Sequence, residues 1–242
     1  MFIRRLVLVF SIVVCGSLAL AAAALAAGGG GLAPGQYSFA DTSANAFFGY
    51  GKGGPPEGFS VFVNRGLNTF EPESGGVATV SRSTIVQLSV YTATGYGFGC
   101  YVIPETDFVV SSNLQSASLD TTLTTANMCK GFGAPGVSQA TVPALVGNAA
   151  TAPSAGLPPS ITVKVTWTGN GVTSTMKGKN SFECLDYSTD GSYTALTAAA
   201  SAAGTISMLD GSFTAPNNAL VGSGSSTLDI SGYRSALCPG KG

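Results

Sequence analysis

"SITVKVTWTG", residues 160–169, sets Ile161, Val163, Val165 and Trp167 on one side of an extended chain and Thr162, Lys164, Thr166 and Thr168 on the other. Apolar residues at every second position fit a strand with one buried face. A helix would space them three and four apart. The same period of two recurs on both sides of this segment. It is seen in "QYSFA" (36–40), "FSVFVN" (59–64), "IVQLSVYT" (85–92) and "SASLDTTLT" (116–124). "FGCYVI" (98–103) runs on past Pro104 into "DFVVS" (107–111). Further strands are expected at "NSFECLDY" (180–187), "SYTALTAAA" (192–200), "GTISML" (204–209) and "STLDIS" (226–231). The alanines of "TALTAAASAAG" would suit a helix, but helix caps and charged pairs four apart are missing, so it reads as strand.

Many short alternating strands, with Gly and Pro between them, predict an all-β fold. The expected form is an antiparallel β-sandwich, immunoglobulin-like or jelly-roll-like. Residues 131–159 break the rhythm with Pro135, Pro143, Pro153, Pro158 and Pro159, and read as a long surface loop. One domain over 36–242 is expected; two small sandwiches, 36–130 and 160–242, are the alternative. "IVQLSVYTATGYG" and "ITVKVTWTGNG" echo each other, as a duplication or as two hairpins of one sandwich.

The chain has 242 residues and opens as an export signal. Arg4 and Arg5 precede an apolar run from Leu6, and Ala24-Leu25-Ala26 offers a cleavage site. Residues 1–26 are therefore expected to be a signal peptide, with 27–35 a Gly-rich tether. Left uncleaved, the run is long enough to anchor the chain in a bilayer. Without a leader anchor, the mature chain is expected to have no membrane span. Cys15, inside the leader, and the twin arginines do not fit lipid-attachment or twin-arginine signals.

The mature chain keeps Cys100, Cys129, Cys184 and Cys238. An even number of cysteines in an oxidising compartment points to two disulfides. Three pairings are possible. Cys100–Cys129 with Cys184–Cys238 is favoured because each pair lies within one half of the chain. Cys100 sits among glycines and aromatics in "YGFGCYVIPE", with neither His nor a nearby cation in sequence to make it a thiolate.

The sequence contains no histidine. That excludes Ser–His and Cys–His nucleophiles and His-ligated zinc or copper. Charge is sparse. Without Arg4 and Arg5 the net charge is about −3, with no basic block, which argues against a nucleic-acid partner.

"STMK", Ser174 to Lys177, matches the S-x-x-K of penicillin-recognising enzymes. The K-T-G that should follow is absent, and both S-x-N matches, Ser43–Asn45 and Ser111–Asn113, come before Ser174. Ser174 is also expected in a turn. "GKGG" (51–54) and "GYGFG" (95–99) fail the phosphate-loop patterns and read as turns. Glu183, Asp186 and Asp190 form a weak Ca²⁺ candidate without the D-x-D-x-D-G spacing; a type I turn at "STDG" accounts for Asp190 equally well. Glu57, Glu71, Glu105, Asp107 and Glu183 could each be nominated for a carboxylate-only glycosidase.

Two Gly-flanked aromatic clusters remain: Phe47, Phe48 and Tyr50, and Tyr96, Phe98 and Tyr101. Exposed, they would stack on sugars or a protein partner; buried, they would fill the ends of the sandwich. Trp167 reads as core. "VTWTGNG", followed some residues later by "TAAASAAGTIS", resembles a pattern in uncharacterised secreted bacterial β-sandwich proteins, a likeness that implies secretion but brings no activity. The expectation is a secreted, non-catalytic structural or binding module, without cofactor, whose partner is a glycan or a cell-surface protein. Carbohydrate binding through the aromatics is the alternative, and a carboxylate-only hydrolase the second.

Overall fold

The computed structural model describes residues 34–49, 57–93, 95–129, 157–184 and 187–231; the side chains of 180–189 and 231 lie outside that description. The strands are β1 (Gly35–Phe48), β2 (Gly58–Pro72), β3 (Thr79–Thr92), β4 (Gly95–Ile103), β5 (Phe108–Val110), β6 (Ser116–Thr124), β7 (Ser160–Cys184), β8 (Tyr187–Ile206) and β9 (Phe213–Ser231). The Ala-rich stretch is strand, within β8.

All strands belong to one sheet, in the order β4-β3-β2-β1-β9-β8-β7-β6-β5. Each strand pairs antiparallel with its chain neighbour, except at β4–β5, and β1 pairs antiparallel with β9. Strands from both halves of the chain thus share the sheet.

An odd number of strictly alternating strands could not place β1 antiparallel to β9. The count closes because β4 and β5 are one run, broken at Pro104 and the 3-10 turn Glu105–Asp107. Proline has no N–H to give a ladder, so the chain bends there. The first part pairs with β3 and the second with β6. An isolated bridge, Tyr101–Met128, carries the pairing on across the remaining gap. Beside it Cys129 N donates to Cys100 O at 2.9 Å, and the Cys100–Cys129 disulfide joins the same two segments. The sheet is therefore rolled into an eight-run up-and-down barrel, stapled at its seam.

This corrects the expected architecture. An immunoglobulin-like or jelly-roll-like sandwich needs Greek-key crossings between two sheets. Here the hydrogen bonds draw one continuous meander. The alternation reports that one face of each strand is buried; it does not say whether those faces belong to two sheets or one.

The buried faces meet inside the barrel. Phe48, Phe59, Val61, Val63, Val86, Leu88, Leu119, Leu123, Ile161, Val163, Trp167 and Val221 are almost wholly buried. Trp167 Nε1 donates across the interior to Asn45 O at 2.8 Å, although β8 and β9 separate the two strands in the sheet. A buried indole N–H needs such a partner.

β1, β2, β3, β7, β8 and β9 run on beyond this apolar core. In the register, inner-face rows such as Ala198–Val221–Ala44–Val63–Val86 are followed by Leu196–Ser223–Thr42–Arg65–Thr84. The inner face therefore changes from aliphatic to hydroxyl-rich along the strands. Here too the expected strand limits were short: the hydroxyl-rich inner face gave no apolar alternation there, yet the ladders persist.

The sequence echo separates in three dimensions. "TATGYG" spans the β3–β4 hairpin, whereas "TGNG" is a bulge inside β7, between Gly169 and Thr173. Gly171 takes φ +82° there, a region open to glycine. Gln115 holds the bulge: its carbonyl accepts from Gly169 N at 2.9 Å, and its Oε1 from Gly171 N at 2.8 Å.

Candidate functional site

The aromatic clusters divide by strand parity. Phe48 is fully buried and stacks on Phe59, ring centroids 4.4 Å apart. Tyr101 is buried too, its ring folded over Gly99, where a Cβ would lie 2.6 Å from it. Burial pushes the Tyr101 phenol above its ordinary pKa, since the anion would lose its water. These two rings are core. Tyr50 lies outside the described residues.

Phe47, Tyr96 and Phe98 point the other way, onto the outer face. Cross-strand pairing places Phe47 opposite Ser60, Ser60 opposite Ser89, and Ser89 opposite Phe98. The row crosses four strands, about 14 Å from end to end. Phe47 is 46% exposed. Tyr96 lies beside the row, its ring centroid 4.8 Å from that of Tyr91 and its hydroxyl 3.3 Å from Ser89 Oγ. The result is a stripe with a phenyl ring at each end, two serine hydroxyls between, and a tyrosine pair along one side. It offers flat apolar faces for stacking and hydroxyls for hydrogen bonds.

Sequence reasoning missed Ser60, Ser89 and Tyr91. The signal was present in the alternation. Tyr91 and Ser89 are out of phase with Val86, Leu88 and Val90 and so belong to the outer face. What was missing was the register that puts them beside Phe98. A second aromatic group was also missed. On the outer face of the extended half, Tyr37 is buried, stacks on Phe70 at 4.6 Å and lies 6.5 Å from Phe39, so this group is packing rather than an open surface.

The Ser174–Lys177 pair is not a dyad. Both lie in β7 rather than in a turn. Residues three apart in a strand face opposite sides of the sheet, so the Lys177 amine cannot reach the Ser174 hydroxyl.

Asp190 is in β8, not in the expected turn, and stands directly opposite Asp229. The Asp186 and Glu183 side chains lie outside the described residues. Among the described residues no cluster of three His, Cys, Asp or Glu side chains could hold a metal.

The glycosidase nominees are dispersed. Glu71 lies one residue before the end of β2, while Glu105 and Asp107 lie in the turn between β4 and β5. Asp107 Oδ2 accepts from Thr121 Oγ1 at 2.8 Å. Glu57 precedes β2 and is exposed. Asp41, not nominated from sequence, sits between Gly66 and Gly224 on the neighbouring strands and accepts from Asn64 Nδ2 at 3.1 Å. Burial raises its pKa above 3.8, partly opposed by that hydrogen bond.

A shallow groove of about 260 Å³ lies elsewhere on the outer face, lined by Thr166, Thr168, Ser201 and Thr214. Cys184 ends β7 with its side chain outside the described residues, as is all of Cys238. No helix among the described residues is long and apolar enough to cross a membrane. Neither family models, nor curated proteins, nor solved structures provide a match to this chain.

Proposed function

We propose that the chain is a secreted, non-catalytic binding module of the cell exterior, and that the Phe47–Ser60–Ser89–Phe98 stripe is its contact surface for glycan. The observation that carries this reading is a ring 46% exposed at one end of an ordered row of rings and hydroxyls. The part of an aromatic ring that faces water costs hydrophobic free energy that partner binding recovers. Sugars fit such a row because their C–H faces stack on rings while their hydroxyls bond to serines.

The leader at residues 1–26 supports export, and the Cys100–Cys129 bridge suits an oxidising compartment. A second bridge, Cys184–Cys238, belongs to the same proposal. The absence of histidine from the whole sequence, and the opposed faces of Ser174 and Lys177, support a role without catalysis.

A glycan array probed with the secreted chain tests the reading. Binding to a defined sugar class should drop at least tenfold in Phe47→Ala and in Tyr96→Ala, with the circular dichroism spectrum unchanged. Unaltered binding in both variants would remove the stripe from the site.

A further inference from the structure

On the opposite face of the same sheet, the basic side chains are gathered rather than scattered. Among the described residues, Arg65, Arg82, Lys177 and Lys179 all occupy inner-face positions of the extended strands. Lys164 faces outward and is paired with Asp120 at 2.9 Å. Lys177 and Arg82 close the two ends of a single row that runs through Thr194, Ser225, Ala40 and Leu67. Lys179 lies one row further out and Arg65 one row further in, next to the apolar core. Five strand spacings separate the ends of the row, about 24 Å.

Two further observations describe this face. None of its four cations is within ion-pair distance of a described carboxylate. Arg82, Lys177 and Lys179 are exposed, and the described contact of the Arg65 guanidinium is a long bond, 3.4 Å, to Phe108 O. The surface between them is made largely of serine and threonine hydroxyls, with no aromatic side chain on the inner face of these rows. At the far end Asp190, Asp229 and Glu71 form an acidic row on the same face. The four cations therefore lie in the band between that row and the core.

We infer that this inner face binds an acidic polysaccharide, a linear glycan bearing carboxylates, laid across the strands between Lys177 and Arg82. Spaced cations neutralise the anionic groups, and the hydroxyls bond to the sugar rings. Single-stranded nucleic acid shares the negative charge. However, it is held by base stacking on aromatic side chains, and this face has none. The acidic row repels a polyanion and limits the site at the far end. This site is separate from the outer aromatic stripe and does not depend on it.

Affinity electrophoresis of the full secreted chain through gels containing polygalacturonate tests the inference, with neutral dextran gels as reference. Retardation by polygalacturonate alone is expected. It should weaken severalfold between about 50 and 200 mM salt, as ionic contacts are screened. Lys177→Gln/Arg82→Gln should bind about tenfold more weakly, corresponding to up to about 1 kcal/mol for each exposed charge, with an unchanged melting temperature. Lys164→Gln, on the other face, should bind as the parent does. No retardation, equal retardation of the double variant, or displacement by single-stranded DNA at lower concentration than by free uronate oligomer would each overturn it.

Discussion

Removing the seam bridge should weaken the barrel by a calculable amount. Cys100 and Cys129 are 29 residues apart in sequence. Closing a loop of that size in the unfolded chain stabilises the fold by about 3.6 kcal/mol at 25 °C in the chain-entropy account. For a chain of this length roughly 2–4 °C of melting temperature accompanies each kcal/mol, so the loss should be about 7–14 °C. The surroundings of the bridge leave few other contacts to take over its role. Around the bridge, the described contacts that hold the seam are the three pairs of β5 with β6, the Tyr101–Met128 bridge, the bond from Cys129 N to Cys100 O and the bond from Thr121 Oγ1 to Asp107 Oδ2. Cys100→Ala/Cys129→Ala is the clean perturbation, since it leaves the other cysteines untouched. Urea unfolding followed by the fluorescence of Trp167, the sole tryptophan, reports the change. The midpoint should fall with the slope preserved. Amide exchange should rise first in β4 and at residues 125–129. A melting temperature within about 3 °C of the parent would refute the seam account, because less than about 1 kcal/mol would then depend on the bridge.

Three other outcomes are expected. Trp167→Phe should cost about 2–3 kcal/mol in urea unfolding, from lost volume and from the bond to Asn45 O. Thr84→Val should stabilise by about 1 kcal/mol, because the buried Thr84 hydroxyl has no hydrogen-bond partner among the described residues; a loss of stability on calorimetry would show that it has one. Asp41→Asn should raise the melting temperature at pH 7. Asp41 has a folded pKa raised above 3.8, so its charged form penalises the fold as pH rises through that window. The gain should disappear near pH 3, where the parent carboxyl is protonated in both states; a gain that is constant with pH would contradict the assignment.

Much of this fold could be read in advance because a strand's period of two is a local property. "SITVKVTWTG" displays its buried face without reference to any other segment, and Trp167 is indeed core. The Cys100–Cys129 pairing was within reach for a related reason: cysteines close in sequence are the ones a short loop can join. The strand identity of the Ala-rich segment likewise followed from absent helix signals.

What alternation cannot carry is the identity of each strand's neighbour. Phe47 and Phe48 are adjacent in sequence, yet one is 46% exposed and the other fully buried. Ser60 and Ser89 became part of a stripe with Phe98 only through ladders between distant segments. Lys177 and Arg82 share a row because six strands, their own included, align in register. The seam, the single rolled sheet and the gathering of cations all depend on register and closure. Those are decided by contacts between residues far apart in the chain, made only when the whole sheet assembles.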